Sequence, residues 1–139
     1  MNLSLTDAFG RFGAKPTNRA RGSSAIADDG AMVLNCAQAR FRHPEQGVLR
    51  YEDTVSKEGE PPTSKDAELL ARNLALAVSD SLPIRMIVCS LVDGAGGTAV
   101  QRFNVRPDLV GKVVNFDGDR FVVDFRRREE LRVASGRRK

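Results

Sequence analysis

Arginine-rich segments near both ends of the chain contain the side chains whose type and spacing suggest a binding chemistry. Guanidinium groups donate paired hydrogen bonds to phosphate oxygens, and each phosphate that they neutralise on a nucleic acid releases counterions. We therefore expect these segments to contact nucleic acid or a nucleoprotein partner. The residues predicted to do so are Arg11, Lys15, Arg19, Arg21, Arg126, Arg127, Arg128, Arg132, Arg137 and Arg138.

The net charge of +4 is unevenly distributed along the chain. Residues 126–139 carry seven basic and two acidic side chains, a net charge of +5, so the other 125 residues have fifteen basic and sixteen acidic groups and a net charge of −1. The segment 52–80 contains seven acidic and only three basic residues. The charge is therefore segregated, as binding to a phosphate backbone requires. A solvated basic tail that only keeps the protein in solution is the alternative explanation.

Aromatic side chains that could stack on bases are scarce, since the chain has one tyrosine and no tryptophan. Base stacking is the usual way in which proteins hold single strands. We therefore do not expect sequence-specific recognition of single-stranded nucleic acid.

Two acidic motifs loosely resemble the PD…(D/E)xK arrangement of restriction-type nucleases. Pro107-Asp108 precedes a predicted hairpin that carries Asp124-Phe125-Arg126. In that family two carboxylates hold magnesium and the lysine polarises the attacking water. Arginine replaces the lysine here and is a poor substitute for it. A magnesium-dependent nuclease is therefore a remote alternative.

Other catalytic and metal-binding arrangements have no support in the sequence. His43 is the only histidine, and Cys36 and Cys89 are too far apart for a zinc-type motif. No serine lies in a GxSxG elbow, and the glycine-rich loop at 93–97 lacks the GK[ST] ending of a phosphate loop. We expect a protein without catalytic activity, cofactor or metal.

Length and composition indicate the class of protein. With 139 residues the chain is long enough for one domain with a real core. Its apolar stretches are too short to span a bilayer, the N-terminus does not resemble a secretory signal, and the two isolated cysteines suit a reducing compartment. We expect a small, bacterial or phage-type, cytoplasmic protein with no membrane partner.

A protein-interaction module is the second interpretation. Such an inhibitor or adaptor would bind another protein through a sheet edge or through the acidic segment 52–68. Homodimerisation through an exposed strand is also open.

The elements that position these residues are organised around a β-hairpin in segment 103–125. Apolar residues alternate along both arms, and Asp117-Gly118-Asp119 supplies the turn because glycine adopts positive φ easily. With Gly118 and Asp119 at the centre of the turn, Phe116 should face Phe121 and Val114 should face Val123.

The rest of the chain predicts two helices and further strands. A helix over residues 3–12 has Leu5, Phe9 and Phe12 on one face, and a longer helix runs over about 64–80. The predicted strand elements are a hairpin over 24–41 that turns at 28–30, a reversal at 42–47, a strand at 48–55 and a central strand at 84–92 covered on both faces. Segment 48–92 is long enough for a parallel crossover.

These elements predict an α+β fold. We expect a mixed, mostly antiparallel sheet of about six or seven strands, with the long helix on one face and a short N-terminal helix. Residues 1–125 should form this single domain, and residues 126–139 should form a basic, disordered tail.

Overall fold

The computed structural model describes residues 3–16, 23–56 and 64–128. They form one eight-stranded sheet with two α-helices, which confirms the α+β prediction with slightly more strands than expected. The elements are α1 (Leu5–Gly10), β1 (Ser24–Ile26), β2 (Met32–Ala37), β3 (Phe41–Glu45), β4 (Val48–Thr54), α2 (Lys65–Asp80), β5 (Ile84–Asp93), β6 (Ala99–Val105), β7 (Leu109–Phe116) and β8 (Arg120–Arg127).

The sheet is mixed but mostly antiparallel. Its strand order is β1-β2-β5-β7-β8-β4-β3, and β6 pairs with a further part of β5. Among the described strands β2 and β5 form the parallel pair, with Met32 opposite Ile84. Antiparallel pairing from β5 to β7, β8 and β4 in turn makes β4 run opposite to β5. The predicted parallel crossover over 48–92 is therefore wrong, because β5 takes its parallel partner from earlier in the chain.

The hairpin of β7 and β8 turns where the sequence predicts. Phe116 lies opposite Phe121. The carboxylate of Asp117 accepts hydrogen bonds from the backbone N–H groups of Asp119 at 2.9 Å and Arg120 at 2.8 Å. These bonds hold the pKa of Asp117 below its ordinary value. The turn is thus fixed by a side chain as well as by Gly118, whose φ is 105°.

One strand pairing in this hairpin was predicted wrongly. A bulge between Val113 and Asn115 places Val113 opposite Val123, and Val114 is 49% exposed. The bulge adds one residue to β7, which moves every residue on its N-terminal side to the other face. Strict alternation along the sequence cannot show such an insertion.

The segment predicted as a reversal at 42–47 is mostly strand. Residues Phe41–Glu45 form β3, and the turn is confined to the residues before β4, where Gly47 has a φ of 82°. Phe41 pairs with Tyr51 of β4. Pro44 is tolerated because β3 ends the strand order and one side of it is unpaired.

Helix α2 begins and ends close to the predicted residues. The Ser64 hydroxyl caps it by accepting the N–H of Ala67 at 3.1 Å, and Ser81 ends it in the left-handed conformation. Val78 is 52% exposed because the stripe that packs on the sheet passes beside it. The buried residues of that stripe are Ala67, Leu70, Asn73, Leu74 and Ala77. Neither helix of the described ranges is long and apolar enough to cross a membrane.

The sheet has an apolar layer on each face. Helix α2 covers one face over the residues of a large cluster, which includes Met86, Phe121 and Phe125. Helix α1 covers part of the other face, where Phe9 packs with residues such as Val33 and Ile87. Ser4 and Asp7 form a capping box at the start of α1, but the helix stops at Gly10, so Phe12, predicted to share its apolar face, lies beyond it.

The sequence predicts that the strand at 84–92 is covered on both faces, but β5 is covered along only part of its length. Its pairing with β2 ends at Cys89, whereas its pairing with β6 continues to Asp93. Residues 90–102 therefore form a two-stranded arm, in which Leu91 is 70% exposed and Val100 48% exposed. A short 3-10 turn at Ala95–Gly97 lies at its tip.

Candidate nucleic-acid interface

The start of β5, the turn between β6 and β7, the end of β8 and the segment after α1 meet at one end of the sheet. Arg127 in β8 lies opposite Leu109, next to the β6–β7 turn. That turn is tied to β5 by the N–H of Arg106, which donates to the carbonyl of Met86 at 3.2 Å. We call this region the basic end, and its basic residues are Arg11, Lys15, Arg85, Arg106, Arg127 and Arg128.

Arg85 is the central residue of the basic end. Its Nη2 donates to the carbonyl of Pro107 at 3.0 Å, and its guanidinium carbon lies 4.9 Å from the centroid of the Phe12 ring. Its Nε is buried and has no hydrogen-bond partner among the described residues. Neutral groups therefore hold this cation in place, through one hydrogen bond and one cation–π contact.

The charge of Arg85 is poorly compensated. Burial lowers the pKa of Arg85, the nearby charge of Arg128 lowers it further, and Asp29 acts weakly in the opposite direction. Neither arginine forms an ion pair with a carboxylate of the described residues. The charge of Arg128 therefore opposes that of Arg85, which costs free energy.

The β6–β7 turn connects these arginines. The carbonyl of Pro107 accepts from the side chain of Arg85, and the next carbonyl, that of Asp108, accepts from the backbone N–H of Arg128 at 2.9 Å. The Asp108 carboxylate binds Arg106 through two hydrogen bonds of 3.1 and 2.9 Å. Its contact with Arg106 lowers the pKa of Asp108, and the charge of Arg127 contributes a smaller part. The acid in this turn is therefore already paired.

The predicted N-terminal group is described only in part. Arg11 and Lys15 are exposed and flank Phe12, so the contact of Phe12 with Arg85 places both near the basic end. The N–H of Asp28 donates to the carbonyl of Gly13 at 3.0 Å and fixes this segment against the β1–β2 turn. The predicted Arg19 and Arg21 lie outside the described residues.

The predicted C-terminal group divides into paired and unpaired arginines. Arg126 lies 3.7 Å from Glu45, in an ion pair whose side chains are 47% and 69% exposed. Arg127 and Arg128 are exposed and form no ion pair with any described carboxylate. The predicted Arg132, Arg137 and Arg138 lie outside the described residues.

The boundary of the folded part lies further along the chain than predicted. Arg126 and Arg127, which the sequence analysis assigns to the tail, are the last residues of β8 and pair with Val110 and Leu109. The hydrogen bonds between two antiparallel strands continue as long as each strand has residues opposite the other. The predicted disordered tail covers residues 126–139, and its residues 129–139 lie outside the described residues.

The open face of the sheet contrasts with the basic end. We use this name for the outward side of β3, β4, β8 and β7, which carries several exposed or partly exposed charges. Arg50 and Asp124 form two hydrogen bonds of 2.7 and 2.9 Å, and Arg42 lies 2.9 Å from Glu52. The bond to Asp124 raises the pKa of Arg50. The charged residues of the open face are Arg42, Glu45, Arg50, Glu52, Lys112, Asp124 and Arg126.

A cleft of about 720 Å3 lies at the far end of the open face. Its lining includes three arginines and three acids, so it offers no excess of either charge. Arg40 lies 3.8 Å from Asp53, which also accepts a hydrogen bond of 2.6 Å from Tyr51. Burial raises the pKa of Tyr51, so this hydroxyl stays a donor. The charged lining residues are Arg40, Arg42, Glu52, Asp53, Asp117 and Arg120.

The nuclease-like motifs do not form a cation site. Asp124 is bound by Arg50 and Asp108 by Arg106, so arginines occupy the carboxylates that would hold magnesium. Residues 3–16, 23–56 and 64–128 contain no group of three or more histidine, cysteine, aspartate or glutamate side chains that could hold a metal ion. The geometry therefore gives the nuclease alternative no support.

The sequence reasoning missed two residues of the basic end, Arg85 and Arg106. Arg85 is the only charged residue in the apolar stretch 84–92. Because arginine is rarely buried without a partner, a charge in a strand expected to be buried indicates a candidate functional residue. Arg106 directly precedes Pro107-Asp108, and the nuclease-like motif draws attention to the carboxylate of that turn and not to the neighbouring arginine.

Comparison with protein-family models, with curated proteins and with solved structures finds no match to this chain. Function must therefore be argued from the site itself.

Proposed function

We propose that the protein contacts the phosphate backbone of nucleic acid, free or in a nucleoprotein complex, through its basic end. The observation that carries the proposal is a difference in pairing. Arg85, Arg127 and Arg128 form no ion pair with a described carboxylate, whereas the arginines of the open face do. An arginine without an ion pair is available to an external anion without first breaking an internal ion pair.

The surrounding charges support the same conclusion. The six basic residues of the basic end stand against three acids nearby, Asp28, Asp29 and Asp108, and the last is bound to Arg106. Contacts of arginine with phosphate carry no sequence information by themselves. The proposed binding is therefore electrostatic, tolerant of sequence and sensitive to salt.

Fluorescence anisotropy tests the proposal with random duplex and single-stranded probes at low salt. The full chain is compared with Arg127→Gln and with the matched control Arg42→Gln, which removes one exposed arginine from the open face. We expect binding by the full chain, weaker binding by Arg127→Gln and unchanged binding by the control. No binding by the full chain, or equal losses in both variants, would refute the proposal.

Deleting residues 126–139 is a poor substitute for these variants. Arg126 and Arg127 form the end of β8, so the deletion also shortens a strand that pairs with β7. A truncation after Arg128 leaves β8 complete and separately measures what residues 129–139 add.

A second candidate function, binding to another protein as an inhibitor or adaptor, is favoured by the arm at residues 90–102. Leu91 and Val100 are exposed there. Within the described part of the chain, the outer edge of β6 is paired only by a single antiparallel bridge between Leu3 and Phe103. Exposed strand edges accept further strands, including one from a second copy of this chain. A pull-down from nuclease-treated lysate tests this candidate, since a partner retained through the arm should be lost in Leu91→Asp.

The proposal places the protein in the cytoplasm and gives it no catalytic role. Cys36 is buried, Cys89 is partly buried, and both are free thiols. Such cysteine usage suits a reducing compartment. The location of the protein in intact cells can be measured directly, and that measurement tests this part of the proposal.

A further inference from the structure

We infer that Arg85 and Arg128 form a discrete site for one phosphate group. The inference rests on the proposed function for the source of that phosphate, which is the backbone of a nucleic acid. It goes further by assigning the contact to two particular arginines, whereas a diffuse positive surface would share it among all the basic residues.

The geometry that supports the site is a common attachment of both arginines. The consecutive carbonyls of Pro107 and Asp108 accept from the Arg85 side chain at 3.0 Å and from the Arg128 backbone at 2.9 Å. The Phe12 ring then limits where the Arg85 guanidinium can lie. A cation fixed in this way loses little conformational freedom when an anion binds.

A buried Nε without a hydrogen-bond partner distinguishes Arg85 from the other arginines in the described ranges. Arg50 and Arg106 each use two nitrogens on a carboxylate. Arg85 instead donates one hydrogen bond to a neutral carbonyl, while its buried Nε lacks a described partner. A buried donor without a partner costs free energy. An anion beside the guanidinium would offset the repulsion from Arg128.

The pair of cations favours phosphate over carboxylate. A carboxylate fits the fork of one guanidinium, whereas a phosphate has acceptor oxygens in several directions and can bridge two arginines. The carboxylate of the turn does not compete for this pair, because Asp108 is already bound to Arg106.

Nuclear magnetic resonance of the full, 15N-labelled chain tests the inference, because the buried Nε–H of Arg85 should be protected from exchange and visible. The titrants are sodium phosphate, sodium acetate and sodium chloride at matched ionic strength, and a short random oligonucleotide. We expect phosphate and the oligonucleotide to shift the Arg85 Nε–H and the Arg128 amide signals with saturation. Acetate and chloride should shift them much less.

Variants show whether the two arginines act together. Arg128→Gln should weaken phosphate binding at the Arg85 signal roughly ten-fold, as loss of a charge-assisted hydrogen bond predicts. Its backbone bond to Asp108 can persist, so folding should be unaffected. Arg42→Gln should change nothing. Arg85→Lys, which keeps the charge, provides a second variant whose amide spectrum reports whether the fold is retained and whose Arg128 amide should respond more weakly to phosphate.

The outcomes separate the two proposals. Signals that do not respond to phosphate, or that respond equally to acetate or chloride, would overturn the inference, even where anisotropy shows nucleic-acid binding by other residues. Saturable phosphate binding at Arg85 without any binding of oligonucleotide would support the site and refute the proposed function, leaving a free phosphate compound as its ligand.

Discussion

The open face and the basic end both carry several arginines, but those of the open face form ion pairs, whereas most of those at the basic end form none with a described carboxylate. On the open face Arg50 and Arg42 lie 2.7 and 2.9 Å from the carboxylates of Asp124 and Glu52. At the basic end Arg85 is held by a carbonyl and a phenylalanine ring, and its nearest described charged neighbours include Arg128. The number of arginines on a surface therefore says less than the partners that they already have.

This difference predicts a separation of effects. Charges that are paired within the fold contribute to its stability and have little to offer a ligand, whereas unpaired like charges oppose folding and favour binding of an anion. Substitutions on the open face should change the free energy of unfolding. Substitutions at the basic end should change affinity for phosphate and leave the free energy of unfolding unchanged or slightly higher.

The largest effect should come from removing two unpaired arginines together. Arg127→Gln/Arg128→Gln should weaken nucleic-acid binding on the order of 100-fold at low salt, because each loses a charge-assisted contact worth about ten-fold. Anisotropy measures the loss, and thermal unfolding should show no decrease in stability. A double variant that binds as well as the unmodified chain would contradict the claim that the unpaired arginines of the basic end bind nucleic acid.

The next effect concerns stability on the β3–β4 side of the sheet. Tyr51→Phe should lower the free energy of unfolding by about 1–3 kcal/mol, because the hydroxyl donates to the nearly buried Asp53 and accepts the N–H of Ala37 at 2.9 Å. Urea unfolding measures this change. Nucleic-acid affinity should be unaffected, and a parallel loss of affinity would mean that the two regions are not independent.

A smaller effect is expected from the paired arginine of the open face. Arg50→Gln removes an ion pair whose side chains are 35% and 19% exposed, so we expect a loss of stability smaller than that of Tyr51→Phe. The matched substitution Arg128→Gln at the basic end should cost no stability. Equal destabilisation in urea by both variants would contradict the distinction between paired and unpaired arginines.

The smallest effect is a change in acid sensitivity at the basic end. Since Arg106 lowers the pKa of Asp108 in the folded state from its ordinary value of 3.8, the stability from this pair is complete above that value and is lost as pH falls through the folded pKa. Asp108→Asn should therefore reduce the difference in urea midpoint between neutral pH and pH about 3. An unchanged difference would show that the pair contributes nothing to stability.

Local sequence signals predicted much of the fold. The cap at Ser64 and the apolar stripe place α2, and the Asp117 turn pairs Phe116 with Phe121. Both depend on residues close in the sequence. The bulge beside Val114 and the parallel pairing of β5 with β2 depend on which strands become neighbours, which one sequence does not show.

The site was only partly predictable for the same reason. Clusters of arginine at the chain ends are visible in the sequence, and part of each, Arg11 with Lys15 and Arg127 with Arg128, belongs to the segments that meet at the basic end. Whether an arginine is paired is a property of the fold. Arg126 and Arg127 are adjacent in sequence, yet strand alternation directs the first towards Glu45 on the open face and leaves the second at the basic end.

The salt dependence of nucleic-acid affinity tests most directly the claim that the unpaired arginines bind phosphate. Each phosphate contact contributes about 0.9 to the slope of log affinity against log salt concentration on duplex DNA. The slope of Arg127→Gln/Arg128→Gln should therefore be smaller than that of the unmodified chain by roughly 2, whereas Arg42→Gln should keep the full slope. Identical slopes in all three proteins would contradict the assignment of phosphate binding to the basic end.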